Sequence, residues 1–149
     1  MEIEKLIKQT RFKYSFHKAI VNLIYTSNFF RDAHLELFKK YDIQGQHYNI
    51  MRILRGKHPQ PVSPGYIKEV MIDKGRDLTR LIDKLERLQW VERSICPENK
   101  RKVNVKLTDH GLDFIDRITD ELSVVDSKLR ALDEKEYELL SNLLDRMRG

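Results

Sequence analysis

Three arginines between residues 76 and 87 have spacings that place them on one side of a helix. An advance of about 100° per residue puts Arg76, Arg80 and Arg87 roughly opposite the apolar stripe of the same segment. The planar guanidinium group matches a guanine edge or a phosphate, and an α-helix fits the major groove of DNA. These arginines therefore predict a helix that reads nucleic acid. The alternative is a solvated face on which Arg80 and Arg87 pair with Asp83 and Glu86.

A second basic cluster follows this helix. Alternation of apolar and polar residues predicts a β-hairpin with strands over residues 91–96 and 102–107, joined by a polar connection over residues 97–101. The run Lys100-Arg101-Lys102 lies at or beside its tip. A basic hairpin next to a helix in the major groove would reach the adjacent backbone or minor groove, which is a winged arrangement. The alternative is a hairpin whose lysines only keep the tip soluble.

The period of the apolar residues predicts a mainly α-helical chain with one small β-hairpin. The predicted helices cover residues 2–40 (one long or broken helix), 44–54, 64–72 and 78–88, and two more follow Thr108 and Asp133. Ser63 followed by proline, Thr108, and Asp133 with Glu136 are N-cap signals. A tight turn at Asp73-Lys74-Gly75 predicts either a helix-turn-helix or an ordinary helical hairpin.

The charge of the 149-residue chain is unevenly distributed. Residues 1–40, 41–107 and 108–149 carry net charges of +4, +6 and −5, within a formal net charge of +5. A basic middle favours binding to a polyanion, although differently solvated faces produce the same asymmetry. The basic middle coincides with the arginine helix and the hairpin.

Composition and motifs exclude several classes of protein. The apolar stretches are too short for a membrane span and the N-terminus lacks the features of a signal peptide, so we expect one cytoplasmic domain without a membrane partner. The single cysteine, Cys96, and five dispersed histidines offer no internal disulfide and no metal-ligand pattern. Catalytic motifs are lacking as well, so we expect neither an enzyme nor a metal or cofactor.

The strongest resemblance to a known family lies in residues 77–111, DLTRLIDKLERLQWVERSICPENKRKVNVKLTDHG. This segment resembles the recognition helix, the wing and the start of the next helix in the MarR (multiple antibiotic resistance regulator) family of winged-helix transcription regulators. The similarity extends upstream through residues 46–56, QHYNIMRILRG. The resemblance implies an obligate homodimer on a pseudo-palindromic DNA operator. It further implies a single domain over residues 1–149, with dimerisation helices in 1–40 and 112–149 and a winged helix-turn-helix DNA-binding region in 41–111.

The resemblance also implies which residues contact DNA. The family's base-reading region corresponds here to Arg76, Asp77, Thr79, Arg80 and Lys84, and the helix that braces the phosphate backbone begins at Ser63, Gly65 and Tyr66. In the wing, Arg101 matches the family's arginine and Lys100 adjoins it. Asn99 stands where the family commonly has an aspartate, and we expect it to bond the arginine or the loop backbone without a charge-assisted contact. A looser wing is the expected consequence.

The helices at the two ends carry more apolar surface than a small core can cover, which fits the implied dimer. The expected interface residues are Phe12, Phe16, Leu122, Leu129, Leu132, Leu140 and Leu144.

Many relatives bind small aromatic ligands in the cleft between the dimerisation helices and the winged module. The candidates to line that cleft here, each weighed against a core or surface role, are His17, Tyr25, His47 and Tyr48. An oxidant-sensing role for Cys96 is the lesser alternative to a structural one, because Cys96 lies in the hairpin.

These features predict a homodimeric, sequence-specific regulator that binds double-stranded DNA and represses transcription until a small ligand or stress signal changes the spacing of its two reading heads. One alternative is a nucleoid-type or RNA-binding module that follows phosphates without reading bases. Another is an interaction protein whose basic face docks an acidic partner. The affinity lost per mismatched base pair separates the three.

Overall fold

The computed structural model describes residues 1–75 and 77–149, which form seven helices and one two-stranded antiparallel hairpin. The elements in chain order are α1 (Ile3–Leu6), α2 (Ser15–Lys40), α3 (Gly45–Lys57), α4 (Pro64–Val70), α5 (Leu78–Arg87), β1 (Val91–Cys96), β2 (Asn99–Leu107), α6 (Asp109–Leu129) and α7 (Glu134–Arg148). The prediction of a mainly helical chain with one hairpin is confirmed. The N-terminal periodic segment is broken, since residues 7–14 separate α1 from α2.

One hydrophobic core joins α3, α4, α5, the hairpin and α6. Its most deeply buried large side chains are Phe114, Ile50, Met51, Leu54, Ile67, Ile82, Leu85, Ile115, Ile118, Val91 and Val105. By contrast, α2 buries only Phe38, near its C-terminal end, and α7 buries none of its residues. The core therefore holds α5 and the hairpin as one unit against α3 and α6.

Side-chain caps start three helices where the sequence predicts them. The Ser63 hydroxyl accepts a backbone N–H of α4 at 3.1 Å, the Thr108 hydroxyl accepts one of α6 at 3.0 Å, and the Asp133 carboxylate accepts one of α7 at 2.9 Å. These predictions are confirmed. The helix α4 ends at Val70, two residues before the predicted end, because the backbone of Met71 turns to an extended conformation and buries the Met71 side chain.

The first turn of α6 lies directly on the segment that joins α5 to β1. The ring of Trp90 stacks on Phe114 with 3.7 Å between centroids, and Thr108 N–H donates to the Trp90 carbonyl at 3.1 Å. A Cβ atom at Gly111 would lie 1.8 Å from the Trp90 carbonyl oxygen. Only glycine fits at position 111 without a shift of the backbone.

We expect Gly111→Ala to lower the free energy of unfolding by about 2 kcal/mol, because the backbone at Trp90 must move away from the added methyl group. Urea denaturation followed by Trp90 fluorescence measures this loss. The matched control is Gly56→Ala, since nothing lies within 4 Å of a Cβ at that position, and we expect it to be at least as stable as the wild type. A Gly111→Ala protein with wild-type stability would contradict the close contact between α6 and Trp90.

The outer surfaces of α2 and α7 carry many exposed apolar side chains. They are Phe16, Leu23, Ile24, Tyr25, Phe29, Phe30 and Leu35 on α2, and Leu139, Leu140, Leu143 and Met147 on α7. Of the other residues expected at a dimer interface, Leu132 is exposed, and Phe12, Leu129 and Leu144 are half-buried. The exception is Leu122, which is 6% exposed and packs inside the protomer core. This corrects its assignment to the interface, because it offers almost no surface to a partner.

A helix that spans a membrane must be both long and apolar. Across residues 1–75 and 77–149, no helix has both the length and the apolar character that crossing a membrane requires.

Candidate nucleic-acid interface

The helix α5 has one buried face and one basic, exposed face. Leu81, Ile82 and Leu85 are buried in the core, whereas Arg80 and Arg87 are exposed. Neither arginine forms an ion pair with any residue that the structure describes. Both guanidinium groups are therefore available to an external anion.

The carboxylates of α5 are bound from the hairpin. Arg93 on β1 donates from Nη2 to Asp83 Oδ1 at 2.6 Å and from Nη1 to Glu86 Oε1 at 3.0 Å. The alternative in which Arg80 and Arg87 pair with these carboxylates is therefore not the arrangement found. Arg93 was not singled out from the sequence, because it becomes a neighbour of α5 only when the hairpin packs against that helix.

Two residues expected to read bases have partners within the chain. The Lys84 ammonium group donates to the carbonyl of Asp42 and lies 3.3 Å from Asp42 Oδ2, so it points toward the turn between α2 and α3. This corrects the expectation that Lys84 extends to bases. Asp77 caps α5, since its Oδ1 accepts the N–H of Arg80 at 3.4 Å. Thr79 is exposed on the first turn of α5, as a base-reading residue would have to be.

The turn between α4 and α5 is bonded to α3. Ile72 N–H donates to Asn49 Oδ1 at 2.9 Å, and Gln46 Nε2 donates to Asp73 Oδ2 at 2.9 Å. Asn49 and Gln46 thus position the turn that precedes α5. Their spacing of three residues on one helix face is the only signal in the sequence that points to them. Arg76, which was also expected to read bases, lies outside the described residues.

The basic residues of the hairpin lie in an interruption of its pairing. Ile95 pairs with Val103, but the next pair joins Cys96 to Asn99, so residues 100–102 have no partner across the hairpin. The connection between the strands is two residues long, which corrects the predicted five-residue connection. Because unpaired residues in a strand are pushed out of the ladder, the three cationic side chains are exposed. We call residues 100–102 the basic bulge.

Asn99 orders the basic bulge. Its Oδ1 accepts the backbone N–H of Arg101 at 3.1 Å, which confirms the predicted bond to the loop backbone. The side chain of Arg101 is exposed and forms no ion pair within residues 1–75 and 77–149. The bulge therefore holds Arg101 by its backbone and leaves its guanidinium group available.

A further cation lies beside the start of α4. Ser63 and Gly65 are exposed in the first turn of this helix, and Tyr66 is half-buried. Lys57 Nζ lies 5.3 Å from the centroid of the Tyr66 ring. The contact places an ammonium group next to the residues expected to brace the phosphate backbone. Lys57 was not identified from the sequence, because six residues with two prolines separate it from the first residue of the helix it approaches.

The candidate effector residues lie in different environments. His17 and Tyr25 are exposed on α2, and Cys96 is a half-buried free thiol at the end of β1. Tyr48 lines a cavity of about 520 Å³ between α2, α3 and α6, together with His34, Phe38, Thr119, Leu122, Ser123, Asp126, Ser127 and Arg130. At this cavity His34 Nε2 and Asp126 Oδ1 lie 2.6 Å apart and join α2 to α6.

His47 is a buried structural group at the N-terminus of α3, which is the core role that was weighed against effector binding. It is 4% exposed, and its Nδ1 accepts the N–H of Gln44 at 2.9 Å. Burial and, to a lesser extent, the positive charge of Lys84 lower the pKa of His47 to about 4, while Asp42 opposes this shift. The folded chain therefore keeps this ring neutral.

We expect the fold to lose stability as the pH falls from about 6.5 toward about 4. In this window the unfolded chain protonates His47, whose ordinary pKa is 6.5, while the folded chain does not. The free energy of unfolding should drop by about 2 kcal/mol between about pH 7.5 and about pH 5. Urea denaturation at both pH values measures the drop, and His47→Gln should remove most of it. An equal drop in the variant would assign the pH dependence to other groups.

The geometry defines a class of protein. The helices α3, α4 and α5 form a unit that presents one basic helix, and a β-hairpin with its own basic bulge follows that helix directly. This is the arrangement of a winged helix.

Comparisons with known proteins show a similarity to one family over part of the chain. Residues 46–103 match the model of the MarR family. The HTH-type transcriptional regulator PecS of Dickeya dadantii is 31% identical to this chain over 87 residues. These residues are 58% of this chain and 52% of PecS, so the match spans about half the length of that relative. A MarR transcription factor from Planctomyces limnophilus is 29% identical, with a TM-score of 0.69 over 93% of this chain and 98% of that chain. The chain is therefore similar to the MarR family over residues 46–103, and these relatives are described as transcription regulators.

A solved protein–DNA complex shares the fold. The S. aureus MepR–DNA complex has a TM-score of 0.73 over 92% of this chain and 97% of that chain, at 20% sequence identity. The predicted fold class, a mainly helical winged helix with a hairpin wing, is confirmed.

Proposed function

We propose that this chain is a transcription regulator that binds double-stranded DNA and reads its sequence. The observation that carries the proposal is the pair of exposed arginines on α5, Arg80 and Arg87, whose neighbouring carboxylates are bound by Arg93. An arginine without a partner among the described residues is available to a guanine edge or a phosphate. We call α5 the recognition helix from here on.

The basic bulge and the start of α4 supply contacts to the DNA backbone in this proposal. Arg101 and its two lysine neighbours are exposed, and Lys57 lies beside Tyr66 at the start of α4. Contacts to phosphates fix the position of a protein on the duplex, whereas contacts to base edges specify the sequence. Arg80 therefore determines base preference, and Arg101 contributes affinity that depends little on sequence.

The regulator acts as a homodimer on a pseudo-palindromic operator. The exposed apolar side chains of α2 and α7 support this part of the proposal, because large apolar surfaces on a protomer mark interfaces. A two-fold symmetric dimer presents two recognition helices to two half-sites. The fold shared with the MepR–DNA complex also supports binding to duplex DNA.

Repression, and its release by a small ligand or a stress signal, completes the proposal. The cavity beside Tyr48 lies between α2 and the core helices α3 and α6, so a ligand there would contact both the proposed dimerisation region and the DNA-binding region. Such a ligand releases DNA only if it binds one spacing of the two heads more tightly than the other.

A nucleoid-type protein that follows phosphates is the second candidate. The net charge of +6 over residues 41–107 favours it, because this charge attracts any duplex. Such a protein would bind all sequences with similar affinity. An interaction protein for an acidic partner would scarcely bind DNA at all.

The decisive experiment is a fluorescence-anisotropy titration of the full chain. The first duplex comes from upstream of the chain's own coding region, and the second is a shuffled duplex of the same composition, each at several salt concentrations. We expect affinities that differ by about 10³ or more, as for a sequence-reading regulator. Similar affinities that fall together with salt would support the nucleoid-type candidate.

A further inference from the structure

We propose that Arg93 is a positioning residue for DNA binding, which acts by cancelling the charges of Asp83 and Glu86 on the recognition helix. The inference rests on the proposed function, since it concerns how the same surface tolerates a polyanion. Arg93 itself belongs to β1 and is not among the residues that the family resemblance assigns to DNA contact.

The geometry is that of a single cation serving two anions. The two terminal nitrogens of Arg93 bind two carboxylates that lie one helical turn apart. Nη2 is 2.6 Å from Asp83 Oδ1, and Nη1 is 3.0 Å from Glu86 Oε1. The side chain of Arg93 is 27% exposed, whereas those of Asp83 and Glu86 are 50% and 45% exposed. The carboxylates therefore lie on the solvent side of the cluster, where a phosphate backbone would meet them.

The consequence concerns Arg80 and Arg87 of the recognition helix, which have no ion-pair partner within residues 1–75 and 77–149. Asp83 lies three residues after Arg80 and four residues before Arg87, and both spacings allow ion pairs on a helix. Without Arg93, the carboxylates would repel phosphates and would also attract the arginines away from DNA. With Arg93 in place, Asp83 and Glu86 each have a cationic partner, and Arg80 and Arg87 stay unpaired among the described residues.

The backbone holds Arg93 where this function requires it. Arg93 is paired in the hairpin with Val105, whose N–H and carbonyl each bond to Val62 at 2.8 Å. Val62 directly precedes the cap of α4, and both valines are buried. The position of the strand is therefore fixed by the core and does not depend on the ion pairs themselves.

The experiment compares full-length variants on one duplex, the 30-base-pair sequence that the wild-type chain selects most tightly from a random pool. We expect Arg93→Ala to weaken binding about 10-fold. Adding Asp83→Asn and Glu86→Gln to Arg93→Ala should restore the affinity to within about 3-fold of the wild type, because the anions that needed cancelling are gone. A triple variant that stays as weak as Arg93→Ala would overturn the inference and leave Arg93 a purely structural role.

Two further variants complete the test. Asp83→Asn with Glu86→Gln, in the presence of Arg93, should bind at least as tightly as the wild type with a steeper salt dependence, because it adds a free cation to the face. This arm does not depend on whether Arg93→Ala folds, and weaker binding would overturn the inference. The matched control is Lys106→Ala, which removes the cation of an exposed pair with Glu92 in the same hairpin, at 3.2 Å, and should change the affinity less than 2-fold. Failure of the wild type to select any duplex would instead overturn the proposed function.

Discussion

Leu140→Asp is expected to split the proposed dimer and thereby weaken binding to an operator with two half-sites by about 100-fold or more, since a second linked contact contributes that much to avidity. The helix α7 buries none of its residues within the protomer, and Leu140 is 45% exposed. The substitution therefore charges a surface that the protomer does not need but a partner would cover. Analytical ultracentrifugation measures the mass of the particle, and fluorescence anisotropy measures the affinity.

Asn142→Asp is the control for this experiment. It adds the same charge to α7 about 200° around the helix from Leu140. We expect it to leave the dimer and the affinity unchanged. A Leu140→Asp protein that remains a dimer would remove this face of α7 from the interface, and a monomer with full affinity would contradict binding by two heads.

Arg80→Ala is expected to raise the dissociation constant for the operator about 10- to 100-fold and to reduce the difference between operator and mismatched duplexes. Loss of one bidentate contact to a base costs about 1–3 kcal/mol of discrimination. Arg101→Ala should instead weaken binding to all duplexes to a similar degree and lower the salt slope by about one. Anisotropy titrations against the operator and single-mismatch duplexes, at several salt concentrations, measure both effects.

Lys84→Ala is the matched control on the same helix. Because the Lys84 ammonium group is bound to Asp42, we expect this variant to lose stability and to keep its base preference. Equal loss of base preference in Arg80→Ala and Arg101→Ala would refute the division of labour between the recognition helix and the basic bulge. Loss of base preference in Lys84→Ala would show that Lys84 does contribute to reading bases.

Local interactions explain why the elements were predictable. Ser63, Thr108 and Asp133 each bind an N–H group three residues ahead, so the residues that set these helix starts stand close together in the sequence. The helix over residues 78–87 follows from its apolar period in the same way. The hairpin was predicted from its alternation, but its short turn and the basic bulge were not, because pairing register depends on both strands at once.

The candidate site was less fully predictable. Lys84 was expected to read bases and Leu122 to face a second protomer, whereas both are directed toward their own chain. The partner of Lys84 lies 42 residues away, and spacing within one helix carries no information about such a neighbour. Arg80 and Arg101 are exposed cations, as the DNA-contact assignment requires.

By itself, the sequence determined the helices, their caps and the order of a basic helix followed by a basic hairpin, because these depend on residues within a few positions of one another. Only the tertiary structure decided which charges of that surface are available. Arg93 binds Asp83 and Glu86 from a different element, and Asp42 binds Lys84 from another, which leaves Arg80 and Arg87 without partners among the described residues. Charge pairing depends on distance in space, and the fold alone brings together residues that are far apart along the chain.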